Sequence, residues 1–177
     1  MQRSKRSEFI SWMKTISLAL VIVIILHTFV FQLSIVKGHS MEPTLKEKEV
    51  LVINKWKYLF GSPKVGDVVI LENPLGNDGK EKLLVKRIVG APGDKIEVYD
   101  RLLYRNGQQV NESYIDTEIE GESFGPYEVQ ADQYFVMGDN RRAQASLDSR
   151  DFAAVDRKLI LGKADFIIWP LSELNSL

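Results

Sequence analysis

The chain has 177 residues, 45% of them hydrophobic, with 23 Lys and Arg against 24 Asp and Glu, two histidines and no cysteine. The missing cysteine excludes thiolate catalysis, a Cys-rich zinc site and any disulfide framework. A formal net charge of −1 lacks the basic footprint that phosphate binding needs, so nucleic acid is not an expected partner.

Residues 15–36 (TISLALVIVIILHTFVFQLSIV) carry no charge, and at about 1.5 Å per residue a helix of this length spans a bilayer core. Upstream stand Arg3, Lys5, Arg6 and Lys14 against only Glu8. That bias keeps residues 1–14 in the cytoplasm and predicts that residues 37–177 lie on the extracytoplasmic side of the cell membrane. A removable signal peptide would have a shorter apolar stretch and a small-residue cleavage site, which FQLSIVKG does not offer. His27 and Gln32 read as polar passengers within the span. Residues 1–36 hold four Lys/Arg and one Asp/Glu, a charge of +3, which leaves nineteen and twenty-three, or −4, for the remainder.

The remainder reads as strands. Residues 50–54 (VLVIN), 67–71 (DVVIL), 83–89 (LLVKRIV), 95–99 (KIEVY), 133–137 (QYFVM) and 163–169 (KADFIIW) are short and rich in β-branched and aromatic side chains. Gly61-Ser62-Pro63, residues 74–79 (PLGNDG), residues 90–94 (GAPGD) and Asn106-Gly107 punctuate them as turns. Residues 156–161 hint at a short helix. The expected fold is mainly β: one N-terminal transmembrane helix followed by an antiparallel, barrel-like β domain.

Ser40 lies a few residues past the apolar run, within GHSMEPTL. His39 adjoins it, but neighbouring side chains of an extended chain point to opposite faces, and His27 sits inside the apolar run. A Ser-His-Asp triad is therefore poorly supported. Glu42 stands where a G-x-S-x-G elbow needs its last glycine, and the S-x-x-K spacing of Ser11 and Lys14 lacks its partner motifs. If Ser40 is a nucleophile, its base must be a lysine. Lys86 is the candidate, because its same-face neighbours in LLVKRIV are Leu84 and Ile88, and burial on an apolar face disfavours the ammonium. The bland alternative is a lysine that protects a sheet edge.

SMEPTL around Ser40, GDVV at 66–69, KRIVGAPGD at 86–94, and GDNR at 138–141 with SLDSR at 146–150 resemble, in order and spacing, the boxes of bacterial type I signal peptidases of the short, single-anchor kind. The resemblance implies that Ser40 is the nucleophile and Lys86 the general base of a Ser/Lys dyad in a membrane-anchored serine endopeptidase that uses no cofactor and no metal. It implies that Ser146 hydrogen-bonds and orients Lys86, and that Asp148 and Arg150 form a bracing ion pair. The Ser40 N–H would hold the oxyanion, with a second donor from backbone or Thr44. Asp67, Asp94, Asp139 and Asn140 look structural. The implied partners are preprotein signal peptides and the phospholipid bilayer, with cleavage after an A-x-A-like end. Val36, Leu45 and Val85 would line the pockets that select small side chains. Trp56, Tyr58 and Phe60 suit either a membrane interface or a buried hairpin.

One box departs from the pattern. Four residues, Arg142, Ala143, Gln144 and Ala145, separate Arg141 from Ser146 where the family has two, which predicts a loop with little order and a Ser146 at risk of displacement. Two other functions remain compatible with the sequence, a peptidase dedicated to one secreted substrate and a catalytically impaired domain that binds exported chains. A self-cleaving repressor-like Ser-Lys protease fits poorly, since the apolar run has no place in one.

Overall fold

The apolar run divides between two elements. In the computed structural model, which describes residues 5–25, 30–76 and 82–177, helix α1 covers Lys5–Ile25, and strand β1 covers Phe31–Ile35. The window Ser7–Ile24 within α1 is long and apolar enough to cross a membrane, and none of it is buried in the protein. A single helix through residue 36 is therefore corrected. FQLSI alternates apolar with polar side chains at the two-residue period of a strand, and its register runs from Phe31 opposite Asn54 to Ile35 opposite Val50. Val36, next along the chain, is already buried in the core. Arg3, His27 and three of the expected turn residues, Asn77, Asp78 and Gly79, lie outside the described residues.

Beyond β1 come β2 (Val50–Asn54), β3 (Val68–Glu72), β4 (Leu83–Gly90), β5 (Lys95–Tyr99), β6 (Leu102–Arg105), β7 (Gln108–Gln109), β8 (Phe124–Glu128) and β9 (Gln133–Met137). Helix α2 (Ser149–Phe152), β10 (Val155–Asp156), β11 (Ile160–Trp169) and β12 (Asn175–Ser176) complete the chain. One sheet runs β1-β2-β11-β3-β4-β9-β10 with β12 on β11, and a smaller one runs β7-β6-β5-β8. The pairings are antiparallel, as expected. The expected strands 50–54, 95–99 and 133–137 coincide with β2, β5 and β9; the others differ by one to three residues at an end. The short helix expected at 156–161 is a single turn, Arg157–Leu159.

Strand β4 passes through all three parts of the core, which is why its sequence is apolar on both faces. Val85 packs on the cluster of Val36, Met41, Leu45, Leu51 and Ile53; Leu84 and Ile88 join Val69, Leu71 and Val136; Val89 joins Phe135 of β9 and Ile96 and Val98 of the smaller sheet. At Gly90 the two sheets approach so closely that a Cβ would lie 2.8 Å from Ile96 Cδ1.

The turn before β3 is held by Asp67. Its carboxylate accepts from Lys64 N at 2.9 Å and from the Tyr58 hydroxyl at 2.8 Å, and pairs with Lys163 of β11 at 2.9 Å. Burial opposes the Asp67 charge, but the hydrogen bonds from Lys163, Lys64 and Tyr58 outweigh it and hold this carboxyl below its usual range. Burial likewise opposes the Lys163 charge, and Asp67 overcomes it, so the ammonium is held above its ordinary value. Asp94 accepts from Ala91 N in the following turn, the structural role expected of it.

Candidate active site

Ser40 sits in a turn-rich segment between β1 and β2. Glu42 N donates to His39 O and Leu45 N to Met41 O, while Met41 (2% exposed) and Leu45 (0%) anchor the segment in the core. From β4, Lys86 Nζ reaches the Ser40 hydroxyl at 2.7 Å and Val85 O at 3.0 Å. Lys86 is only 2% exposed, so it is no edge-strand guard. His39 turns outward, its Nδ1 2.8 Å from Glu42 Oε1, and that hydrogen bond raises its pKa above the ordinary histidine value. It does not serve Ser40.

Arg87 points away from Lys86, as alternation requires. It makes a two-pronged contact with Asp139, Nε to Oδ1 at 2.9 Å and NH2 to Oδ2 at 2.7 Å, and lies 4.0 Å over the Tyr114 ring. The Thr44 hydroxyl donates to Asp139 Oδ2. Thr44 is thus committed to structure and is not a second oxyanion donor. Asn140 clamps the Ser40 turn from the other side: its N–H donates to Ser40 O and its side-chain amide to His39 O, each at 3.0 Å. Gly138 lies against that same Ser40 carbonyl and against Ser146, and a Cβ there would collide with both.

Asp148 and Arg150 form the expected ion pair, with both contacts at 2.9 Å. Asp148, fully buried, also caps α2 in a capping box with Asp151. Ser146 is the correction. Its hydroxyl is buried and hydrogen-bonds no described residue; it rests against Gly138 rather than donating to Lys86. The extra residues before it are not loose. Arg142 pairs with Asp116 at 3.1 Å, Ala143 N donates to Glu120 Oε2 at 3.0 Å, and Ala145 N closes a turn onto Arg142 O.

Those acids belong to a segment the motifs did not single out. Glu112, nearly buried, takes both terminal nitrogens of the fully buried Arg141, whose Nε donates to Gly138 O at 2.7 Å. The Tyr114 hydroxyl also donates to Glu112, and burial, reinforced by that carboxylate, pushes its pKa up. The only sequence trace of this brace is the acid-rich run NESYIDTEIEGE, which reads equally well as a solvated loop.

A cavity of about 560 Å³ opens beside the pair, bordered by Leu33, Ile35, Val36, Met41, Ile70 and Val85, with Ser40 and Lys86 at its wall and Lys37 and Lys82 also lining it. Val36 and Val85 occupy the expected position. Leu45 does not: it lies behind the wall, fully buried in the core. Among the described residues no three His, Asp or Glu side chains gather as a metal site.

A serine hydroxyl met by a buried lysine beside an apolar cleft marks a candidate hydrolase, and comparison with known proteins supplies its family. Residues 9–169 match the family described as signal peptidase, peptidase S26. The chain is 39% identical to signal peptidase I P of Bacillus subtilis subsp. natto, covering 98% of this chain and 96% of that one. It is 36% identical to a signal peptidase I of Bacillus licheniformis (97% and 95% covered), and 33% identical to signal peptidase IB of Staphylococcus aureus (96% and 94% covered). A crystal structure of a signal peptidase I from Enterococcus faecalis matches with 28% identity and a TM-score of 0.48, covering 58% of this chain and 97% of that one. The chain belongs to the signal peptidase family, peptidase S26. Its reaction is accordingly endopeptidase removal of signal peptides from preproteins.

Proposed function

We propose that this protein is a single-pass, membrane-anchored signal peptidase I that cleaves after small residues with a Ser40/Lys86 dyad. The observation that carries the dyad is the 2.7 Å contact between Lys86 Nζ and Ser40 Oγ, within the range a general base needs. Neutral Lys86 takes the hydroxyl proton as Ser40 attacks the scissile carbonyl, then protonates the departing amine. A water activated by the same lysine clears the acyl-enzyme. The Ser40 N–H holds the developing oxyanion. Ser146, Asp148 and Arg150 support the site without taking part in the chemistry.

Selectivity for small side chains follows from the cleft, where Val36 and Val85 offer an apolar wall that admits a methyl group and excludes larger or charged ones. Membrane attachment is supported by α1 and by a sheet face beside the cleft. On that face Leu33, Val52 and Phe166 form one cross-strand row and Ile35, Val50 and Trp169 the next, with Leu33, Ile35, Phe166 and Trp169 each more than half exposed. Trp56, Leu59 and Phe60 are exposed, while Tyr58 between them is buried; the aromatic segment thus divides between interface and core. An apolar face this broad suits the headgroup boundary of a bilayer, and Arg3, Lys5, Arg6 and Lys14, ahead of the uncharged run, support a catalytic domain outside the cytoplasm.

The test is to incubate the detergent-solubilised protein with a preprotein and sequence the new N-terminus. A single cut after an A-x-A end, lost in Ser40→Ala, is the expected result; an uncut preprotein, or a cut that survives Ser40→Ala, overturns the proposal.

A further inference from the structure

The apolar cleft beside Ser40 has a charge of one sign. Besides Lys86, the charged residues that line it are Lys37 and Lys82, and among the described residues no carboxylate borders it. Both lysines are exposed, and neither forms an ion pair with a described residue. Two acids come near through strand pairing. Glu49, whose carbonyl accepts from Val36 N, is buried with its side chain turned to Lys46 N; Glu72, opposite Leu83, stands outside the lining. We propose that Lys37 and Lys82 are specificity-determining residues that favour preproteins with a carboxylate four or five residues before the scissile bond. The inference rests on the Ser40/Lys86 reaction proposed above.

Chain direction fixes where that carboxylate would lie. In the sheet order β1-β2-β11-β3-β4 each neighbouring pair is antiparallel, so β1 and β4 run parallel to each other. Both lead toward the dyad, one to Ser40 and the other to Lys86. Lys82 precedes Lys86 by four residues of largely extended chain, roughly 13 Å. Lys37 precedes Ser40 by three, with a bend at Gly38 (φ 73°), and so stands at most about 10 Å back. A substrate strand laid along the cleft, with the carbonyl of its scissile bond at Ser40, advances by about 3.3 Å per residue. Its fourth and fifth residues before the bond therefore come level with the two lysines, just ahead of the A-x-A triplet. The cleft reads size beside the dyad and charge farther back.

The size of the effect follows from exposure. Ion pairs open to water are individually weak, so two of them give a discrimination of about three- to tenfold in kcat/KM between glutamate and lysine at these positions. The contact lies well away from the reacting carbonyl and is the same before and during bond breaking. It acts on KM and leaves kcat alone. Salt weakens it, because the Debye length falls from about 10 Å at 0.1 M to about 3 Å at 1 M, whereas the apolar fit at Val36 and Val85 has no such dependence.

To test this, the detergent-solubilised protein is given preproteins that share one A-x-A end and carry Glu, Gln or Lys at the fourth and fifth residues before the bond. Wild type should cut them in the order Glu, Gln, Lys, with the difference in KM and the spread shrinking at about 1 M salt. Lys37→Glu combined with Lys82→Glu should invert the order, and Lys37→Gln combined with Lys82→Gln should level it. The ratio of Glu to Lys substrate is read within each enzyme, so a general loss of activity in a variant does not enter. Moving the charge to the third residue after the bond should abolish its response to the lysine variants. The series is repeated in phosphatidylcholine vesicles with and without phosphatidylglycerol. If wild type cuts the three substrates equally, or the order survives in the Glu variant, the inference fails while cleavage at A-x-A leaves the proposed function standing. If the lysines matter only with phosphatidylglycerol present, and equally for every substrate, they hold lipid phosphate and the inference also fails. If no preprotein is cut, both fail.

Discussion

The carbonyl oxygen of Ser40 rests against Gly138 with no room for a Cβ between them, and the Ser146 side chain crowds the same spot. Gly138, the residue just past β9, therefore sets how deeply the Ser40 turn can sit. Gly138→Ala should push that turn off Lys86, costing about 1–3 kcal/mol of stability and most of the preprotein cleavage. Thermal unfolding and a processing assay check this, and wild-type turnover in the variant would show that the turn has slack.

Ser40→Ala and Lys86→Met should each abolish cleavage while circular dichroism stays native, since methionine keeps the shape of lysine but accepts no proton. Under the proposed dyad the competent base is the neutral amine, so the wild-type rate should climb with pH as the Lys86 ammonium loses its proton. A rate that is flat from mildly acidic to alkaline solution would remove Lys86 from that role.

Removing one partner of a buried ion pair strands the other. Glu112→Ala leaves Arg141, 0% exposed, without its carboxylate, and Asp139→Ala does the same to Arg87. Each should cost about 3–5 kcal/mol, read as a lowered denaturant midpoint, whereas Arg142→Ala at the exposed Asp116 pair should move the midpoint little.

Asp67 and Lys163 predict two opposite pH limits. The folded Asp67 carboxyl titrates below its unfolded value of 3.8, so its stabilisation is full above that pH and is lost as pH falls through the folded value. Lys163 titrates above its unfolded 10.5, so its share is full below that pH and is lost as pH rises through the folded value. The stability gap between wild type and Asp67→Asn should be constant through the neutral range and should narrow at both extremes. A gap independent of pH would mean that the pair contributes no net charge interaction.

The Ser146 hydroxyl is buried without a hydrogen-bond partner among the described residues. Deleting it should leave stability unchanged or improved, because an unsatisfied buried hydroxyl is itself a cost of about 1–3 kcal/mol. If the group turns to Lys86 during turnover, Ser146→Ala lowers kcat with little change in KM. Unchanged kcat would limit Ser146 to packing against Gly138.

What could be read in one dimension was what depends on near neighbours. Enrichment in β-branched and aromatic side chains located β2, β5 and β9, and two-residue alternation separated Lys86, on the face of Leu84 and Ile88, from Arg87. The absence of any suitable histidine or cysteine pointed Ser40 toward a lysine. The 2.7 Å meeting of Ser40 and Lys86, 46 positions apart, needed the pairing of β4 with β3 and β9, which no local pattern encodes. Long-range packing likewise took Phe31–Ile35 out of the apolar run, because its alternation could be satisfied only once β2 lay beside it. Leu45 was read as a pocket wall from its place in a motif, yet packing put it behind that wall. Glu112 and Tyr114 looked like ordinary loop residues until Arg141 and Arg87 were folded against them. Their burial, and so their importance, comes from chain segments distant in sequence.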